Sequence, residues 1–141
     1  MIIADTNVVS EFMKDAPDLT VLEWAETLDP TVLSICAITV EEIEHGIRRL
    51  PAGKRRTELG ARWKAQLAAF VDTIVPYDTT AAQATADLLV HAETSGRPIS
   101  HADAQIAGTC LSRGHQLATR NARDFSNLPS LTVINPFEAV E

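Results

Sequence analysis

Four carboxylates stand where an acid is hard to explain. Asp5 ends the apolar run Ile2-Ile3-Ala4, which is too short and too unpatterned for an exposed strand and reads as a buried one. The acid therefore falls at a strand's carboxyl end, the edge where open α/β sheets bind ligands. A carboxylate there is costly unless paired, and no basic residue follows until Lys14, so a metal ion is the candidate partner. Asp103 lies in a helix opened by Ser100 and shares a face with Ala107 and Cys110 at i+4 and i+7, which puts a charge on or beside the packing stripe. The helix dipole would also favour an anion in that first turn. Glu42 closes Thr39-Val40-Glu41-Glu42, the spacing of a capping box, and its i+4 neighbour Gly46 lets another element approach closely. Glu41 and Glu44 beside it are expected to face solvent. Asp124 follows a strand in Thr119-Arg120-Asn121-Ala122-Arg123-Asp124-Phe125, where an ordinary loop aspartate would also fit.

The elements that must position these acids alternate. After the first strand, Thr6 to Met13 has helical character, with Thr6 or Asn7 as cap, and Asp15-Ala16-Pro17-Asp18 breaks it. Leu19, Leu22, Trp24, Ala25 and Leu28 give a second helical stripe, and Thr31 to Ile38 is β-rich. Thr39 caps a third helix with Val40, Ile43 and Ile47 inward, ended by Leu50-Pro51-Ala52-Gly53. Residues 54 to 72 form a longer amphipathic helix with Leu59, Trp63, Leu67, Phe70 and Val71 inward. A strand over Thr73 to Tyr77 precedes an alanine-rich helix from Thr79 or Thr80 to Ser95-Gly96, and the Ser100 helix runs to Gly114. Leu117-Ala118-Thr119 and Leu131-Thr132-Val133-Ile134 are the last strands, joined by a polar loop. Strands alternating with helices predict an α/β fold with a mostly parallel central sheet flanked by helices.

The chain has 141 residues, 45% of them hydrophobic, enough for one core and too few for two. A single domain over 1–141 is expected. No apolar stretch approaches the ~20 residues of a membrane span and no secretory leader is seen, so a cytoplasmic protein is expected. Cys36 and Cys110 lie in apolar runs and read as core residues, which disfavours a disulfide or a cysteine zinc site. The net charge of -7 argues against a generic nucleic-acid binder. Yet seven of the twelve basic residues, Arg48, Arg49, Lys54, Arg55, Arg56, Arg62 and Lys64, fall between positions 48 and 64. That segment could grip a phosphate backbone or simply form a solvated helix face. The four histidines read as surface or helix-edge residues, and Trp24 and Trp63 as core or interface.

Taken in order, Ile3-Ala4-Asp5-Thr6-Asn7-Val8-Val9-Ser10, Ser34 to Gly46, Ile99 to Ala107, Leu117 to Phe125 and the closing Val133-Ile134-Asn135-Pro136-Phe137 resemble the PIN-domain ribonucleases. The likeness is greatest to the toxins of VapBC-type toxin-antitoxin pairs, including the FitB-like members, and spans the whole chain. The resemblance implies a PIN-like fold and a metal-dependent endoribonuclease. It assigns Asp5, Glu42 and Asp103 to an acidic cluster that is both catalytic and metal-binding. The fourth acid is placed at Asp124, with Asn121 as a neutral ligand or water-positioning group, although some relatives carry an acid where this chain has Asn121. Thr6, Asn7, Ser10 and Thr119 are supporting residues, and Arg48, Arg49, Lys54, Arg55 and Arg56 are candidates for RNA contact. The implied partners are an RNA substrate, a VapB-like antitoxin lying along a groove of helices 6–13 and 39–64, DNA only through that antitoxin, and a second copy of the chain.

The physics of such a cluster stands beside the resemblance. Two carboxylates about 4 Å apart repel by roughly 4 kcal/mol at an effective dielectric of about 20, so several together call for a cation. Oxygen-only ligands select a hard ion, Mg²⁺ with Mn²⁺ able to substitute. A receiver domain or an aspartate phosphatase would need a late lysine, and none follows Lys64. The alternative within the resemblance is a regulatory component that binds DNA with its antitoxin and has little or no nuclease activity.

Overall fold

The computed structural model describes residues 1–70 and 73–138. Five strands form one all-parallel sheet: β1 (Ile2–Ala4), β2 (Leu33–Cys36), β3 (Ile74–Val75), β4 (Gln116–Ala118) and β5 (Val133–Ile134), in the order β3-β2-β1-β4-β5. The chain thus lays β2 and β3 on one side of β1, then crosses to put β4 and β5 on the other. The resulting switch point lies between β1 and β4, where diverging connections leave a crevice outside the strands' carboxyl ends. Ala4 pairs with Ala118, so Asp5 and Thr119 are the first residues beyond the sheet on either side of that crevice.

Seven helices cover the sheet among the described residues: α1 (Thr6–Phe12), α2 (Leu19–Glu26), α3 (Ala37–Arg48), α4 (Lys54–Phe70), α5 (Thr79–Thr94), α6 (His101–Arg113) and α7 (Ala122–Phe125). The core has two parts. One gathers Ile3, Val75, Leu88, Ile106, Leu117 and Phe125 beneath α5 and α6; the other gathers Val8, Val9, Val21, Ile35, Ile43 and Trp63 beneath α1 to α4. Gly108 lets α6 meet α5 at backbone distance, because a Cβ there would lie 2.8 Å from the Thr85 nitrogen and 3.0 Å from the Ala81 oxygen. Both cysteines are free and buried, and Trp63 is core, as expected.

Several expectations are corrected. Asp5, rather than Thr6 or Asn7, caps α1, its carboxylate accepting the Thr6 N–H at 2.8 Å. α3 begins at Ala37, with Cys36 in the cap position and no side-chain capping bond, so Thr39 and Glu42 form no capping box. The backbone turns helical as soon as the short β2–β3 pairing ends at Cys36. Among the described residues nothing lies within 4 Å of where a Cβ on Gly46 would stand, and Glu44 is turned inward enough to accept the Trp63 indole N–H at 3.3 Å. In α2 the buried residue is Val21, while Leu19 is exposed. β3 and β5 are shorter than expected, and the loop after β4 contains α7, a helix too short to show periodicity. Val71 and residue 72, placed at the end of the fourth helix, lie outside the described residues.

Candidate acidic site at the sheet switch point

Asp5 is 3% exposed and accepts three hydrogen bonds. Oδ1 takes the Thr6 N–H; Oδ2 takes the Thr119 hydroxyl at 2.7 Å and the Asn7 amide at 3.3 Å. The Asn7 amide also lies 3.3 Å from the Thr119 hydroxyl, which accepts the Asn121 N–H at 3.1 Å. β1, α1 and the turn after β4 are therefore joined around one carboxylate. Burial foremost, with the nearby charges of Asp103 and Glu42, outweighs the pull of those donors and raises its pKa to about 6.

Glu42 approaches from α3. Its Oε1 accepts the Thr6 hydroxyl at 2.6 Å, and Thr6 lies 3.3 Å from the buried Thr39 hydroxyl. Thr39 is thus a support beneath Thr6 rather than a cap. Asp103 comes from the first turn of α6, where Ser100 accepts its N–H at 3.1 Å, the one cap read correctly as a serine. Burial raises its pKa, and Asp124 adds to the shift. Asp103 and Asp124 line a cavity of about 220 Å³ with Arg97, Pro98, Ile99 and Ser100. Asp5 thus feels the charges of both Asp103 and Glu42, while the exposed Asp124 acts on Asp103. Asn121 leads into α7 with no capping bond from its side chain.

Among the described residues no ion pair involves any of these four acids. Nor do three acidic, histidine or cysteine side chains gather tightly enough to hold a metal ion by themselves. The oxygen donors whose charges reach Asp5 are those of Asp103 and Glu42. That fits a hard divalent ion such as Mg²⁺, which keeps several waters and takes one or two carboxylates plus substrate oxygens.

Ser10 lies beyond Thr6 in a second cavity, a groove of about 480 Å³ between α1, α3 and α4. Met13, Ile43, Ile47, Leu50 and Leu59 line it; Thr6 and Glu42 stand at the acid end, and Lys14, Arg55 and Arg62 bring positive charge. The basic segment is partly spoken for. Arg48 pairs with Glu44 at 2.7 Å, Lys54 with Glu58 at 3.8 Å, and Arg62 with Asp15. Two charged residues near the site carried no sequence signal strong enough to single them out. Glu11, on α1, is 3% exposed and pairs with Arg120, 109 positions away, so only the fold reveals it.

A small parallel α/β domain with carboxylates crowded at its switch point defines a class, that of acidic-crevice domains suited to a hard cation. The chain belongs to the PIN-domain family, residues 2–131 matching that domain. It is 41% identical over 139 residues to the VapC ribonuclease Y4jK of Sinorhizobium fredii, covering 98% of this chain and 99% of that one. It is 33% identical over 138 residues to toxin FitB of Neisseria gonorrhoeae, covering 97% and 99%. Its fold matches that in the structure of FitAB bound to an IR36 DNA fragment with a TM-score of 0.90, at 32% identity and coverage of 100% and 99%.

Proposed function

We propose that the chain is a divalent-metal-dependent endoribonuclease, the toxin of a VapBC-type toxin-antitoxin pair, working in the cytoplasm. The observation that carries the reading is the Asp5 carboxylate, buried at the switch point, its pKa raised to about 6 by burial and by the charges of Asp103 and Glu42, with no ion pair to it among the described residues. An acid kept in that state at a crevice is a site waiting for a cation. Likeness over the full chain to a relative named a ribonuclease supports the substrate class.

In this reading Asp5, with Asp103 or Glu42, holds a Mg²⁺ or Mn²⁺ ion. When bound, the ion polarises the phosphodiester and stabilises charge on the leaving oxygen. Thr6 fixes Glu42, Asn7 and Thr119 fix Asp5, and Ser10 lines the approach. Asp103, raised by burial and open to the smaller cavity, accepts a proton from the attacking water; Asp124 orients that water, with Asn121 beside it. The water oxygen bonds to phosphorus, the bridging P–O bond breaks, and the leaving oxygen takes a proton from solvent. Arg48, Arg49, Lys54, Arg55 and Arg56 contact the RNA backbone.

The larger groove takes the C-terminal segment of a small antitoxin. Its apolar lining suits an amphipathic helix, and Glu42 at one end suits a basic side chain of that partner. The chain also pairs with a second copy of itself. The relative's complex with DNA favours a second reading, a regulatory component with little nuclease activity. The net charge of -7 assigns any DNA contact to the antitoxin.

The test is cleavage of total RNA by the purified chain with Mg²⁺ or Mn²⁺, against chelator and against Asp5→Asn. Metal-dependent cleavage lost in the variant is expected. Cleavage retained in Asp5→Asn sinks the metal-site account, and no cleavage by the native chain with either ion leaves the regulatory reading.

A further inference from the structure

Glu11 is buried on α1, yet the chemistry above does not use it. Both its oxygens are committed. Oε1 accepts from Lys14 Nζ at 2.9 Å and from Arg120 Nη2 at 3.1 Å, and Oε2 accepts the Asp18 N–H at 3.0 Å. The Lys14 hydrogen bond foremost, with the other donors, outweighs burial and holds its carboxyl below the ordinary glutamate range.

The more telling partner is Arg120, because it directly follows Thr119, the hydroxyl donor to Asp5. The backbone of Arg120 is held at both ends, and its half-exposed guanidinium is held through Nη2. Its N–H donates to Asn7 Oδ1 at 3.1 Å, and its carbonyl accepts the Asn135 amide at 3.3 Å. Its guanidinium reaches Glu11 and lies 3.9 Å from the centre of the Phe137 ring, whose own backbone N–H is held by Asn135 at 3.0 Å. Asn7 and Glu11 are i, i+4 neighbours, so one face of α1 grips both the backbone and the side chain of the same residue. A charge-assisted bond and a stacked ring fix the direction of the guanidinium as well as its charge.

We propose that Glu11 is a positioning residue acting through Arg120: it fixes the turn Thr119–Asn121 that hydrogen-bonds Asp5, and it points the Arg120 guanidinium away from the acidic crevice. Arg120 directly follows Thr119, which bonds Asp5, so a released guanidinium would compete for that carboxylate. Tied to a buried carboxylate instead, it leaves the crevice negative and open to a divalent ion. The consequence for cleavage rests on the nuclease reading; the consequence for the turn does not.

The experiment compares the native chain with Glu11→Gln, Arg120→Lys, Arg120→Gln and the pair Glu11→Gln with Arg120→Gln. Backbone amide exchange is measured without metal, Mn²⁺ binding by loss of the free-ion paramagnetic signal, and kcat and KM on RNA. In Glu11→Gln, exchange at Arg120 and Asn121 is expected to rise at least about tenfold, with Ile3 and Ala4 unchanged. Mn²⁺ binding weakens and kcat falls while KM holds. Arg120→Lys keeps a charge but loses the planar fork, so it falls between the native chain and Arg120→Gln in amide exchange. Adding Arg120→Gln to Glu11→Gln restores Mn²⁺ binding, because no guanidinium remains to compete, without restoring kcat.

Unchanged exchange at Arg120 and Asn121, or a rise spread evenly through the sheet, overturns the proposal. So does Mn²⁺ binding that the second substitution fails to restore, or, where the native chain cleaves RNA, a kcat in Glu11→Gln equal to the native one. If the exchange and Mn²⁺ patterns appear but the native chain cleaves no RNA, the nuclease reading fails and the clamp stands. If the native chain cleaves and the patterns are absent, the clamp alone fails.

Discussion

Asp5 and Glu11 are two buried carboxylates at the cap and in the last turn of the same short helix, each 3% exposed, and the fold treats them oppositely. Glu11 receives two cations and a backbone N–H, and its pKa is lowered. Asp5 receives only neutral donors and two like charges, and its pKa is raised to about 6. Desolvation acts on both, so the difference lies in what stands beside them. A carboxylate that serves the fold has its charge answered within the chain. One left unanswered at a ligand-binding edge is kept for a charge that arrives from outside.

Replacing the unanswered acid should separate stability from activity. Asp5→Asn is expected to lower metal-dependent RNA cleavage by roughly 100-fold or more. The same change should stabilise the metal-free protein at pH 7, since it removes a charge whose pKa has moved by roughly 2 units, worth about 3 kcal/mol at most. Differential scanning calorimetry in chelator should show a higher melting temperature for the variant. A lower one would mean that Asp5 stabilises the fold even without a cation, and the contrast with Glu11 would collapse.

The answered acid should behave in the opposite sense. Glu11→Gln removes the carboxylate from Lys14, Arg120 and the Asp18 N–H, and is expected to destabilise the fold by about 1–3 kcal/mol, measured by urea denaturation. The two acids also predict opposite pH dependence. For Asp5 the folded pKa is about 6 against an unshifted 3.8, so its penalty is full above about 6 and fades as the pH falls towards 3.8. The stability gap between Asp5→Asn and the native chain should close over that window. For Glu11 the folded pKa lies below the unshifted 4.5, so its contribution is present above 4.5 and is lost as the pH falls through the lowered value. The gap between native and Glu11→Gln should therefore persist at pH 5 and shrink only in stronger acid. If both gaps close over the same window, the two carboxylates are not electrostatic opposites.

The same pair shows what a sequence can and cannot carry. Asp5 was legible because an apolar run breaks off at an acid, and a buried strand followed by a charge is a local pattern. Asp103 was legible because Ser100 marks the helix start and Ala107 and Cys110 mark its buried face, both within one helix. Glu11 shows only Lys14 three residues on; its burial and its bond to Arg120 come from a contact across the sheet. The start of α3 departs from its local sequence signal for a related reason. Thr39-Val40-Glu41-Glu42 has capping-box spacing, but the Thr39 and Glu42 side chains are both drawn to Thr6, 33 and 36 positions away, and the true cap at Cys36 uses no side chain. The parallel sheet followed from alternation; its switch point, which puts Thr119 beside Asp5, depends on strand order and is absent from any local window.

The basic segment offers the mildest test of the rule that unanswered charge serves function. Arg48 is exposed and paired at 2.7 Å with Glu44, whereas Arg55 lines the groove that begins at Glu42 and is in none of the ion pairs among the described residues. An exposed helical pair such as Arg48–Glu44 is worth at most about 0.5 kcal/mol, so neither Arg48→Ala nor Arg55→Ala should change stability appreciably. Their effects on RNA affinity should differ. If Arg55 neutralises a phosphate, its loss lowers the slope of log affinity against log salt by about 1, with kcat unchanged, while loss of the internally answered Arg48 lowers it by less. Binding isotherms at several salt concentrations, measured with Mg²⁺ replaced by Ca²⁺ to suppress turnover, provide the slopes. Equal slopes for the two variants would show that a surface partner such as Glu44 does not withdraw an arginine from RNA, and would confine the distinction between answered and unanswered charge to buried groups like Asp5 and Glu11.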